Sequence, residues 1–120
     1  MKTINLTKGG FLNRVADFEN NPNEWKFLGR RPAIIDFYAP WCGPCKALSP
    51  VLDEVAALYD GQVDIYKVNV DDEEELASIF QIRSVPTLVF VPMEGEMQVA
   101  QGALPKRQLV QVIDEVLLKK

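Results

Sequence analysis

The chain has 120 residues, 48% apolar and 25% charged, the balance of one globular domain with an ordinary core, so residues 1–120 are expected to fold as a single domain. A formal charge of −4 argues against nucleic-acid binding, which usually needs a basic face; Lys26, Arg30 and Arg31, and the pair Lys119–Lys120, read as solvated surface. No stretch approaches the ~18 apolar residues of a membrane span, and Met1-Lys2-Thr3-Ile4-Asn5-Leu6-Thr7-Lys8 holds no apolar run of signal-peptide length, so a cytoplasmic protein is expected.

In chain order, Ile4 and Leu6 alternate with polar residues and suggest a short strand. Thr7 can cap a helix whose apolar positions are Phe11, Leu12, Val15 and Phe18. Glu19–Glu24 is rich in Asn and Pro but too short to separate domains, and Trp25, Phe27 and Leu28 fit a helix, a loop or a strand equally. Ala33–Ala39 is a nearly continuous apolar run, the pattern of a strand covered on both faces. A helix from about Cys42 to Tyr59 aligns Leu48, Val51, Leu52, Val55, Ala56 and Tyr59, with a kink expected at Pro50. Val63–Val70 is the next strand. Asp72 with Glu75 resembles a capping box, opening a helix that buries Leu76, Ile79 and Phe80. Thr87–Val91 is a strand after Pro86, and Met93–Glu96 turns into another at about Met97–Gln101. Pro105 fits the first position of a closing helix with Leu109, Val112, Ile113, Val116 and Leu117 on one stripe. The early strand–helix–strand part demands right-handed crossovers and parallel strands, and the last two strands, joined by a short turn, should be antiparallel. The expected class is therefore α/β, a central mixed sheet of about five strands with about four helices spread over both faces.

Both cysteines lie in Trp41-Cys42-Gly43-Pro44-Cys45. Thiols at this spacing can close into a disulfide within one turn of backbone. If a helix starts at Cys42, its sulfur is the N-cap and can accept a hydrogen bond from the Cys45 N–H. The positive helix end favours a thiolate there and lowers the thiol pKa from its usual ~8.5. The pair then offers an activated nucleophile with a second thiol behind it, poised for thiol–disulfide exchange. A structural disulfide closing so short a loop stabilises weakly. A structural zinc usually needs four Cys or His ligands, and the chain has no His and no third Cys. Inert core thiols are disfavoured by Gly-Pro, which marks a turn into a helix.

Taken together, Ala33-Ile-Ile-Asp-Phe-Tyr-Ala-Pro-Trp-Cys-Gly-Pro-Cys-Lys46, Val68-Asn-Val-Asp71, Val85-Pro-Thr-Leu88 and Gly102-Ala103 resemble the thioredoxin family over nearly the whole chain. The resemblance implies the thioredoxin fold and a protein-disulfide reductase with no bound cofactor, working through a redox-active Cys42–Cys45 disulfide. Thioredoxin reductase would recharge it, with NADPH as the ultimate electron source. Disulfide-containing proteins would be the substrates of a monomer without nucleic-acid or membrane partners. Cys42 would attack and Cys45, further into the helix and more buried, would resolve. Gly43 permits the tight turn, and Pro44 suits the first helical turn. The Gly-Pro pair is the family's mark of reductases.

Asp36 sits inside an apolar strand, where burial should raise its pKa. From the residues alone it is either a hydrogen-bonded structural aspartate or a functional acid; the family places an acid there to move a proton to or from Cys45. Lys67 reads alone as an exposed strand lysine sharing a face with Ile65 and Asn69, whereas the family pairs it with the acid. Pro86 matches the family's cis-proline facing the cysteines, which would leave the Val85 backbone free to pair with an extended substrate. Trp41, Gly43, Pro44, Val85, Pro86, Gly102 and Ala103 would make a flat, mostly uncharged docking patch around Cys42. The chain departs from the pattern at Tyr38, where many members have tryptophan, at Pro40, at Ser84, and in the longer segment from Glu19 to Pro32. Two other functions remain: a thioredoxin-fold binding or scaffold subunit whose thiols are not required, and an oxidase or isomerase.

Overall fold

A computed structural model describes residues 3–120; Met1 and Lys2, the start of the segment read above for a leader, lie outside the described residues. The elements are β1 (Ile4–Asn5), α1 (Lys8–Arg14), β2 (Ala33–Tyr38), α2 (Gly43–Leu58), β3 (Asp64–Asn69), α3 (Glu74–Ile79), β4 (Thr87–Val91), β5 (Gln98–Gln101) and α4 (Lys106–Val112). The sheet runs β1-β3-β2-β4-β5, with β1, β3 and β2 parallel and β4 and β5 antiparallel to their neighbours. This is the expected thioredoxin fold, a mixed sheet of five strands.

Alternation along the central strands splits the core in two. Ile34, Ile65, Leu88 and Phe90 face α2 and α4, meeting Leu48, Leu52, Val55, Leu109, Ile113 and Leu117. Ala33, Ile35, Phe37, Tyr66, Val68, Val89 and Val91 face the other way, onto Phe11, Val15 and Leu76. Burial on both faces explains why Ala33–Tyr38 reads as a nearly continuous apolar run. Asp36 breaks that run on the α2 side, the parity it shares with Ile34.

Thr7 caps α1 as expected, its Oγ1 accepting from Gly10 N–H at 3.3 Å. The helix stops at Arg14, so Phe18 lies beyond it, still packed on Phe11 with ring centroids 5.8 Å apart. Residues 17–32 are irregular. Their return is fixed by the Leu28 N–H donating to the Val15 carbonyl at 2.8 Å, and Trp25 and Leu28 stay largely exposed. α2 is assigned without a break through Pro50, which denies the Lys46 carbonyl its intrahelical donor.

The Asp72–Glu75 capping box is not formed: α3 begins after Glu73, with no side-chain cap. Asn69 organises the turn instead, its Oδ1 accepting from Asp71 N–H and its carbonyl from the N–H groups of Asp72 and Glu73. Glu75 reaches away to Lys8 at 2.8 Å, and Glu73 accepts the Lys8 N–H at 2.7 Å. Ile79, expected inside, is 45% exposed. The helix ends there, and Phe80 supplies the inward ring, at 5.6 Å from Phe11 and 5.1 Å from Phe37. Pro105 is the N-cap of α4 rather than its first residue, because its ψ of 152° is extended. Beyond Val112 the helix widens over Ile113–Leu117, with Leu118 N–H reaching the Ile113 carbonyl at 2.8 Å, and Leu109, Ile113 and Leu117 keep the buried stripe.

Candidate active site

β2 delivers the chain to the start of α2, where Cys42 is the N-cap, extended at φ −88°, ψ 115°, with Pro44 in the first turn. Cys42 Sγ accepts the Cys45 N–H at 3.1 Å, one of the donors a helix start leaves without an intrahelical partner. Cys42 and Cys45 are joined as a disulfide, Cα to Cα 5.2 Å. Contrary to the expectation that Cys45 is the more buried, both are 4% exposed. The bonded pair packs together against Ala39, Tyr38, Val70 and Val85, so both sulfurs share one apolar pocket. What separates the two in this oxidised form is place on the helix, Cys42 at its mouth and Cys45 inside its first turn.

The residues around the disulfide come from four segments. Trp41 is 70% exposed, its indole Nε1–H donating to Asp71 Oδ2 at 3.1 Å, and Gly43 and Pro44 are exposed beside it. The Val85–Pro86 bond is cis, Val85 is half-buried and Pro86 buried. The Val85 carbonyl oxygen lies 3.7 Å from Cys42 Sγ. Among the described residues no backbone–backbone hydrogen bond uses the Val85 N–H or carbonyl. Gly102 needs its φ of +89°, and its N–H donates to the Pro86 carbonyl at 2.8 Å, which sets the exposed Ala103 beside the loop. A shallow groove of about 150 Å³ runs past Trp41, Val70, Ile82, Arg83, Ser84 and Val85.

Asp36 is fully buried on the face that α2 covers, between its register partners Lys67 on β3 and Leu88 on β4. Burial pushes its carboxyl up to about 6, with the Lys67 charge pulling the other way. Among the described residues neither carboxylate oxygen has a hydrogen-bond partner. Lys67 is adjacent in register but makes no ion pair with Asp36 among the described residues. Its Nζ donates instead to Ser49 Oγ at 2.9 Å and sits 4.7 Å from the centre of the Tyr38 ring. Burial, then the charges of Asp36 and Asp72, raise the pKa of Tyr38.

Two polar residues here escaped the sequence reading. Ser49 lies four positions after Cys45, one turn further along the same helix face, and that spacing was the available signal. Asp71 closes the quoted Val68–Asp71 motif, with nothing in the sequence to tie it to Trp41. Among the described residues no group of three or more His, Cys, Asp or Glu side chains gathers to hold a metal.

A disulfide-forming pair at the mouth of a helix, set on a mixed sheet of this order, belongs to the thiol–disulfide oxidoreductases. The thioredoxin family model matches residues 11–115. A thioredoxin of Borreliella burgdorferi is 42% identical over 112 residues, 93% of this chain and 95% of that one. One from Haemophilus influenzae is 46% identical over 84 residues, 70% of this chain and 78% of that one. The crystal structure of chloroplastic thioredoxin z is similar with a TM-score of 0.76 at 26% identity, covering 96% of this chain and 94% of that one. The chain belongs to the thioredoxin family, and its activity is protein-disulfide reduction by dithiol–disulfide exchange.

Proposed function

We propose that Cys42 is the nucleophile, Cys45 the resolving thiol and Asp36 the acid–base group of this reduction. The Cys42 thiolate attacks a substrate disulfide and forms a mixed disulfide, and the departing substrate sulfur takes up a proton. Cys45 gives its proton to Asp36 and attacks Cys42 Sγ. The second substrate sulfur leaves, and Cys42–Cys45 closes, with two electrons passed to the substrate. The observation that carries this assignment is the Cys45 N–H donating to Cys42 Sγ at the helix mouth, a contact that favours a negative sulfur. An acid titrating near 6 is largely ionised at neutral pH and can receive the Cys45 proton. Lys67 tempers that acid through its charge.

Trp41, Gly43, Pro44, Val85, Pro86, Gly102 and Ala103 form the docking patch. The unpaired backbone of Val85 suits strand-like pairing with an extended substrate segment. The protein acts as a monomeric single domain of residues 1–120 in the cytoplasm, within an electron-transport chain. Thioredoxin reductase returns it to the dithiol, drawing on NADPH, and the cysteine pair is its only redox group. Insulin-disulfide reduction, driven by dithiothreitol or a matched reductase, tests the roles. Wild type should exceed Cys42→Ser by at least about 100-fold, the scale of losing an activated nucleophile. Equal rates would refute the nucleophile assignment.

A further inference from the structure

The cation that faces the buried acid of this site is held elsewhere. Lys67 is the register neighbour of Asp36, yet its ammonium is bonded to Ser49 Oγ at 2.9 Å and rests over the Tyr38 ring at 4.7 Å. Both contacts are of ordinary strength for an ammonium: a direct hydrogen bond and a cation–π approach well inside ~6 Å. The Asp36 oxygens, on the same face of the sheet, take no hydrogen bond from any described residue. A flexible lysine that loses its outer tether would turn toward the nearest buried carboxylate, because an uncompensated charge there is costly.

We propose that Ser49 is a positioning residue of the redox site: its hydroxyl, with the Tyr38 ring, holds the Lys67 ammonium out of contact with the Asp36 carboxylate and so sets that acid's proton affinity. This rests on the reading of Asp36 as the site's acid. It also gives the family departure at Tyr38 a chemical consequence, since that ring is part of the tether. The other groups around Asp36 are few. Its own strand brings Tyr38, β4 brings the uncharged Leu88, and α2 brings Cys45 with the exposed Lys46, Asp53 and Glu54. α4 adds only Lys106 and Arg107, both exposed. In the disulfide form neither cysteine titrates, so the Asp36 step can be followed alone.

The test is an NMR titration of the Asp36 side-chain carboxyl carbon in the oxidised protein. Ser49→Ala keeps a good helix former at that position while removing the tether. Its midpoint should fall by about 1 pH unit as the ammonium reaches the carboxylate, the low end of the effect of an adjacent cation on Asp. Ser49→Thr, which restores a hydroxyl, should return the midpoint toward wild type. Lys67→Met should raise it, and Ser49→Ala added to Lys67→Met should change nothing further, since the serine acts only through the lysine. An unmoved midpoint in Ser49→Ala, or an equal fall with Lys67 already replaced, overturns the proposal. The rate of disulfide reduction in Asp36→Asn decides separately whether the acid moves the proton.

Discussion

Asp36 costs the folded state something at neutral pH, and the sign of that cost follows from its environment. Its carboxyl moves from 3.8 to about 6 on folding because burial disfavours the charge. The native state therefore binds this proton more tightly than the unfolded chain. The associated stability is complete below pH ~3.8, is lost as pH rises through about 6, and is absent above. The difference amounts to about 3 kcal/mol at pH 7. Asp36→Asn, which cannot ionise but leaves a buried amide to satisfy, should gain about 1–3 kcal/mol at pH 7.5. It should also flatten the fall in stability between pH 4 and pH 6.5. Urea unfolding from pH 4 to pH 7.5 measures both, and a destabilised variant at pH 7.5 would contradict the account. The two cysteines and this acid were legible because each is a chemical anomaly in its segment: two thiols in one turn, a carboxylate in an apolar run. Ser49 was not, since a hydroxyl on an amphipathic helix looks the same whether it meets water or a half-buried ammonium. The near-equal burial of Cys42 and Cys45 was not legible either, because spacing says nothing of the state of the bond between them.

At the scale of elements, hydrophobic period proved a firmer guide than end chemistry. β2 and α2 were legible because burial on two faces and on one stripe leave unmistakable patterns, and between them they place Asp36, Cys42 and Cys45. Helix ends were decided by competition for single polar groups. Thr7 won its cap because the free Gly10 N–H, three residues on, lies within reach of its hydroxyl. Asp72 and Glu75 lost theirs because Asn69 had taken the turn and Lys8 had taken Glu75. Thr7→Ala should therefore destabilise the protein by about 1 kcal/mol. The equivalent change at Asp72, exposed and bearing no cap, should stay within about 0.5 kcal/mol. Thermal melts of the two variants compare them directly, and equal losses would contradict the cap assignment.

Across the whole molecule, the sheet order places the β2 end, the cis-Pro loop before β4 and the Gly102 turn after β5 at the disulfide. That convergence of three segments far apart in sequence is what the family motifs encoded, and no local pattern could have supplied it. The segment of residues 17–32 shows the opposite case: its path is set by separate tertiary bonds, Leu28 N–H to the Val15 carbonyl, Asp64 N–H to the Pro32 carbonyl and Glu19 to Lys8, none of which a local pattern announces. The central claim concerns the reactivity of the pair this framework holds. Cys42 is 4% exposed while bonded to Cys45, so the proposed nucleophile role requires that reduction free its sulfur at the helix mouth. The most direct measurement is brief alkylation of the fully reduced protein with iodoacetamide at pH 7, followed by peptide mass spectrometry. The account predicts fast modification of Cys42, with Cys45 lagging far behind. Modification of Cys45 first, or of neither thiol faster than free cysteine, would contradict it.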